Sequence, residues 1–267
     1  MRMTDPTGMA ERTYTDGYGG QLNATAAIIV EQDSRGGSRP EGKNFYFSSE
    51  GDPLGTGKGN DEIRIVNSGF TNSPSDYADK SEVFSGASLT EEAVGKIGQY
   101  FLKEVLEISE DIPVRGLINA PFIFAALTNR DGSAESKLKE GVLLNDPVIS
   151  FSMLDRIDGS KTMSTSNFDN WYNFASTLYH EHLHFISKYS IGNNQFIGGF
   201  SDGNDLGRSN HLNVYWMQVN HPLYQYTTPS YQRNTNKFIN TYIKGVGDMS
   251  LKNHYQNLFS GNNSLKN

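Results

Sequence analysis

Leu178-Tyr179-His180-Glu181-His182-Leu183-His184-Phe185-Ile186 carries the spacing H-E-x-x-H. On a helix, His180 and His184 stand one turn apart on the same face, close enough to share a metal ion. Glu181 then lies beside the ion's open position. The flanking residues ask for that helix. Asn167 or Asp169 can cap it, and Trp171, Phe174, Leu178, Phe185 and Ile186 give it an apolar side as far as about Ser190. His182 falls about 200° around from His180, on another face, and reads as a packing histidine.

The residue types suit hydrolysis. Catalytic zinc takes three protein ligands and keeps a fourth position for water, whose pKa it lowers toward about 7. His180 and His184 supply two ligands. Glu181, near the ion but not bound to it, takes the proton as the water attacks a carbonyl and passes it to the leaving amine. The plainer alternative is an amphipathic helix with two ordinary histidines and a solvated Glu181. The complete i, i+1, i+4 arrangement inside a domain helix argues against it.

The third ligand must lie downstream. A histidine six residues after His184 is excluded, because Ser187 and Ser190 occupy the glycine and histidine positions of that longer motif. No glutamate follows Glu181, so a downstream Glu ligand is excluded as well. The remaining donors are Asp202, Asp205, His211, His221, Asp248 and His254. His211 is the first choice, because a short helix after the glycine-rich loop puts His211, Tyr215 and Gln218 on one face. Asp202, Asp205 and His221 remain alternatives. The same helix brings Tyr215 toward the metal, where its phenol can donate to a developing oxyanion or simply pack as a buried aromatic.

Outward from the motif, composition narrows the function. The 267 residues can bury a full core without cross-links, and the chain has no cysteine, so any metal must be held by His and carboxylates. A net charge of −7 offers no footprint for nucleic acid or an anionic membrane surface. No apolar run reaches membrane-spanning length, and Met1-Arg2-Met3-Thr4-Asp5-Pro6 lacks the apolar core of a signal peptide.

Turn clusters punctuate the first sixty residues at Asp16 to Gly20, Arg35 to Ser38 and Gly55 to Asn60. Strands are expected at Ala24 to Gln32, Asn44 to Ser48 and Glu62 to Val66, the last two pairing across the intervening glycine-rich turn. That Gly-x-Gly-x-Gly run lacks the following helix of a phosphate cradle. Thr90-Glu91-Glu92 opens a helix to about Ile108. Strands follow at Ile112 to Ile118 and Val142 to Leu154, the second broken at Asn145-Asp146-Pro147, with Val148 to Met153 alternating as a half-exposed or edge strand would. After the motif helix, Gly198 to Gly207 reads as a loop, and Ser209 or Asn210 caps a helix to about Asn220 that His221-Pro222 ends. Thr228-Pro229 starts another, with Phe238, Ile239 and Tyr242 on its apolar side and Gly245 as its stop. A last helix spans Leu251 to Phe259.

Two resemblances add to this reading. The motif helix resembles that of zincin metallopeptidases, which implies an α+β fold with a zincin-like core: a curved sheet packed on the active-site helix, behind a β-rich N-terminal segment. Arg2-Met3-Thr4-Asp5-Pro6-Thr7-Gly8-Met9 resembles the Asp-Pro-x-Gly junction that closes the Rhs or YD-repeat core of bacterial polymorphic toxins. The segment with Tyr46-Phe47 and Ile63 to Val66 is similar in style to their C-terminal toxin domains. The resemblance implies a junction remnant over 1–15, a β-rich segment over 16–85 and a metallopeptidase domain over 86–267. It further implies a secreted antibacterial effector, delivered into the periplasm or cytoplasm of a target bacterium, often by type VI secretion. A cognate immunity protein would be its partner, alongside a protein or peptide substrate. The expected function is zinc-dependent endopeptidase activity. Its rivals are another metal-dependent hydrolase, such as a nuclease, and a binding module with a closed metal site.

Overall fold

In the computed structural model, the described residues are 14–15, 21–22, 40–67, 74–84, 89–109, 112–117, 125–129, 147–152, 165–190 and 205–260. The expected strand Ala24 to Gln32, the turn Arg35 to Ser38, the junction sequence Arg2 to Met9, residues 142–146 and the loop positions 198–204 lie outside them. So does Asp202. Tyr14–Thr15 (β1) and Gln21–Leu22 (β2) pair antiparallel.

The first larger sheet comprises Lys43–Ser48 (β3), Pro53–Lys58 (β4), Ile63–Val66 (β5) and Ser81–Val83 (β6), in the order β4-β3-β5-β6. β3 and β5 do pair, but in parallel, and the glycine-rich stretch expected to be their turn is itself the edge strand β4, antiparallel to β3. The chain therefore passes around the start of β3 between β4 and β5. Two side chains fasten that crossing. Asn44 Oδ1 accepts from the N–H groups of Asn60 and Glu62, and Asp61 Oδ1 accepts from Lys43 N–H, all at 2.9 Å. A Cβ on Gly59 would collide with the Asn44 amide, so only glycine fits the crossing there. The Asp61 carbonyl then accepts from Trp171 N–H at 2.8 Å, which ties the sheet to the first residue of the motif helix.

Helix α1 spans Glu91–Tyr100, capped by Thr90 Oγ1 on Ala93 N–H. It ends earlier than its periodicity predicts. A π turn over Phe101–Val105 follows, and Glu107 adopts φ 53°. The wider turn keeps Phe101 and Leu102 in the core.

The second sheet comprises Val114–Leu117 (β7), Ala125–Asn129 (β8) and Pro147–Ser152 (β9), in the order β7-β9-β8, with β9 parallel to β7 and antiparallel to β8. The edge-strand expectation for Val148 to Met153 is overturned, since β9 is the central strand. Val148 and Ile149 are both buried, as neighbours on a strand covered on two faces must be. Pro147 is tolerated as its first residue. α1 lies close against β7. A Cβ on Gly95 would sit 2.7 Å from the Val114 carbonyl oxygen, which accounts for a glycine in mid-helix despite a propensity cost of about 1 kcal/mol.

The motif helix α2 spans Trp171–Ser190. Its cap is Asn170, whose Oδ1 accepts from Asn173 N–H at 2.8 Å, rather than Asn167 or Asp169. Phe168, Trp171, Phe174 and Leu178 share one core with Phe45, Phe47, Ile63 and Ile65 of the first sheet and with Val94 and Ile97 of α1. The remaining helices are α3 (Asp205–Val219), α4 (Pro229–Gly245) and α5 (Met249–Ser260). α3 begins four residues before the expected Ser209 cap, and Ser209 Oγ instead donates back to the Asp205 carbonyl at 2.6 Å within the first turn. Thr228 and Pro229 start α4 as read, with Ile239 buried and Phe238 and Tyr242 partly so. The product is an α+β fold in which α2 packs against β8 and β9 on one side and α3 on another. No helix of the described residues is long and apolar enough to cross a membrane.

Candidate metal centre

α2 buries its polar motif. His180, Glu181 and His184 are each 7% exposed, so the helix presents them to the protein interior rather than to bulk water. Opposite stands His211 on α3, half-buried. His184 Nε2 lies 3.1 Å from His180 Nε2, which lies 3.2 Å from His211 Nε2. Among the described residues these form the one cluster of three ligand-type side chains, their donor atoms all within 4.8 Å of one another.

The donor set fits a zinc ion. Nitrogen ligands at about 2.0–2.1 Å in a tetrahedron stand roughly 3.3 Å apart, close to the separations of the two adjacent pairs. Burial pushes His180 down to about 3, with the charge on His211 acting the same way and the hydrogen bond to Gln218 opposing it. His180 is therefore neutral at ordinary pH, the form that binds metal. Its other ring nitrogen, Nδ1, is 2.9 Å from Gln218 Oε1.

Aromatic rings enclose His211. Tyr215 stacks on it at 5.1 Å between centroids, tilted by 17°, and Tyr242 of α4 lies 4.3 Å away. The Tyr215 ring also approaches His180, at 4.6 Å. The sequence places Tyr215 near this site and marks Tyr242 only as apolar helix surface, because nothing local signals which helix a distant tyrosine will meet.

The other candidate donors among the described residues serve elsewhere. The Asp205 carboxylate accepts from Gly247 and Asp248 N–H at 2.7 and 2.8 Å, holding the link between α4 and α5 to the start of α3. Those bonds keep its carboxyl below the usual range. Asp248 Oδ1 accepts from Leu251 N–H at the start of α5, and His254 packs its ring beside Tyr255. His182 is buried near Tyr179, outside the cluster.

His221 caps the 3-10 turn Pro222–Tyr226, its Nδ1 accepting from Leu223 N–H at 3.3 Å, and its ring lies 4.3 Å from Tyr179. Burial lowers its pKa from 6.5 to about 4. Between those values the unfolded chain holds the extra proton, so the stability contributed by neutral His221 is complete above about pH 6.5 and is lost as pH falls toward about 4. His221→Asn keeps a capping acceptor that does not titrate. Between about pH 7.5 and about pH 5, urea midpoints should therefore fall more for wild type than for His221→Asn. Equal falls would remove His221 as a source of acid sensitivity.

Comparison with known families gives a match, over residues 45–265, to the family described as Metallopeptidase toxin 2. No curated protein and no solved structure matches the chain. The matched span holds the motif helix, His211 and both larger sheets except the first two residues of β3. The chain, with its three-histidine cluster built on the motif helix and α3, belongs to the metallopeptidase toxin 2 family.

Proposed function

We propose that this chain is a zinc-dependent endopeptidase, with His180, His184 and His211 as the metal ligands and Glu181 as the general base. The convergence of three imidazole nitrogens, with the buried Glu181 following His180 on the same helix, carries the reading. Zinc bound there would supply Lewis acidity toward a peptide carbonyl and lower the pKa of water. Glu181 accepts the proton of the attacking water and returns it to the leaving nitrogen. Tyr215, whose ring lies against His180 and His211, is assigned the donor role toward the carbonyl oxygen as negative charge develops on it. Substrate binding by strand addition is assigned to β8. That strand packs against α2 and, among the described residues, pairs only with β9, so its other edge can bind an extended peptide through backbone hydrogen bonds.

The proposed setting is that of a secreted antibacterial effector, the toxin domain of an Rhs-type protein with residues 1–15 as the junction remnant. Family membership as a toxin supports it, as does the Asp-Pro-Thr-Gly sequence at residues 5–8. A cognate immunity protein and delivery by type VI secretion follow from the same setting.

Purified protein incubated with an unfolded protein and, separately, with plasmid DNA should cleave only the polypeptide. A chelator should stop cleavage, and added zinc should restore it. Cleavage of the DNA, or peptide cleavage indifferent to chelation, would overturn the reading.

A further inference from the structure

We propose that Gln218 and Tyr231 are positioning residues that hold His180 in the tautomer whose Nε2 lone pair faces the metal, and so raise the affinity of the site. The inference rests on the reading of His180 as a ligand. A neutral imidazole carries its proton on either nitrogen, and the partner of the second nitrogen decides which. Here that partner is a neutral amide, which can turn either its oxygen or its NH₂ toward His180.

The surroundings leave it one choice. The network ends on backbone carbonyls, which only accept. Thr177 Oγ1 donates to the Asn173 carbonyl at 2.9 Å, so it accepts from the Tyr231 hydroxyl, also at 2.9 Å. With that proton directed to Thr177, Tyr231 Oη accepts from Gln218 Nε2 at 2.9 Å. The same NH₂ faces the Ser176 carbonyl at 3.2 Å and Ser176 Oγ at 3.1 Å. Gln218 Oε1 is thereby left for His180, where it accepts from Nδ1–H at 2.9 Å, and Nε2 keeps its lone pair. Turning the amide over would set two oxygens against each other at Ser176. Ser176, Gln218 and Tyr231 are buried, so no bulk water would relieve that contact. Burial also raises the Tyr231 phenol, which keeps its proton in the network.

The arrangement reaches from α2 through α3 to α4. Asn173, fully buried, accepts from Thr228 N–H and donates to Thr228 Oγ1, both at 2.9 Å, while Thr228 caps the helix that carries Tyr231. Removing a partner of this kind costs roughly 10- to 100-fold in metal affinity.

Two measurements on the full chain test it. Zinc affinity by chelator competition should fall about 10- to 100-fold in Gln218→Met, which keeps length but loses the acceptor. Gln218→Glu, which keeps an acceptor toward His180, should recover most of that loss. Tyr231→Phe should weaken binding by a smaller factor, and it carries the comparison should Gln218→Met not fold. In metal-free protein, histidine ¹⁵N spectra should show His180 protonated at Nδ1. Wild-type affinity in both folded variants, or His180 protonated at Nε2 in the wild type, would overturn the proposal. His180→Ala separates the two levels. If it loses zinc while Gln218→Met and Tyr231→Phe do not, only the positioning role fails. If it keeps wild-type affinity, the ligand assignment fails too.

Discussion

Replacement of Glu181 by Gln is expected to lower peptide hydrolysis by roughly 10²- to 10⁴-fold, the span that a positioned general base contributes, with zinc content unchanged. Gln has the shape of Glu but cannot take a proton, and the site is buried, so the substitution removes one chemical capacity with little change in packing. Turnover of an unfolded protein substrate, read beside metal analysis of the same sample, checks this. Wild-type turnover would show that Glu181 is not the base. Loss of zinc along with activity would make Glu181 a ligand.

His211→Phe is expected to weaken zinc binding by more than the roughly 100-fold that loss of an outer partner costs, because it deletes one of three ligands. Phenylalanine keeps a ring between Tyr215 and Tyr242, so α3 should stay docked and the unfolding midpoint should change little. Zinc retained at wild-type affinity would move the third ligand elsewhere, with Asp202 the first position to test. Asp205 is a weaker alternative, since its carboxylate is already bonded to Gly247 and Asp248.

The parts of this site legible in the sequence are those that local geometry dictates. Helical spacing puts His180 and His184 on one face whatever the rest of the chain does. The turn between His211 and Tyr215 likewise fixes their common side. His211 ranks ahead of Asp205, which stays an alternative, because its helix can face the motif helix with Tyr215 and Gln218 on the same side, and the structure brings that imidazole to the other two. Pairing over distance was not legible. Ala125–Asn129 lacks the β-branched alternation that marks a strand, yet it forms β8, because β9 needs a partner on each side. The glycines at 55 and 57 read as a turn, but β3 pairs with them as an edge strand. Gln218 was placed on the correct face. Its bond to His180 depends on Ser176 and Thr177 of α2 and Tyr231 of α4 meeting it on α3, and no single segment encodes that.

X-ray absorption at the zinc edge on the loaded wild-type protein reads the ligand set itself. One zinc per chain is expected, held by three imidazole nitrogens at about 2.0–2.1 Å with oxygen at the remaining position. A zinc with four protein ligands, or with fewer than three imidazoles, would contradict it.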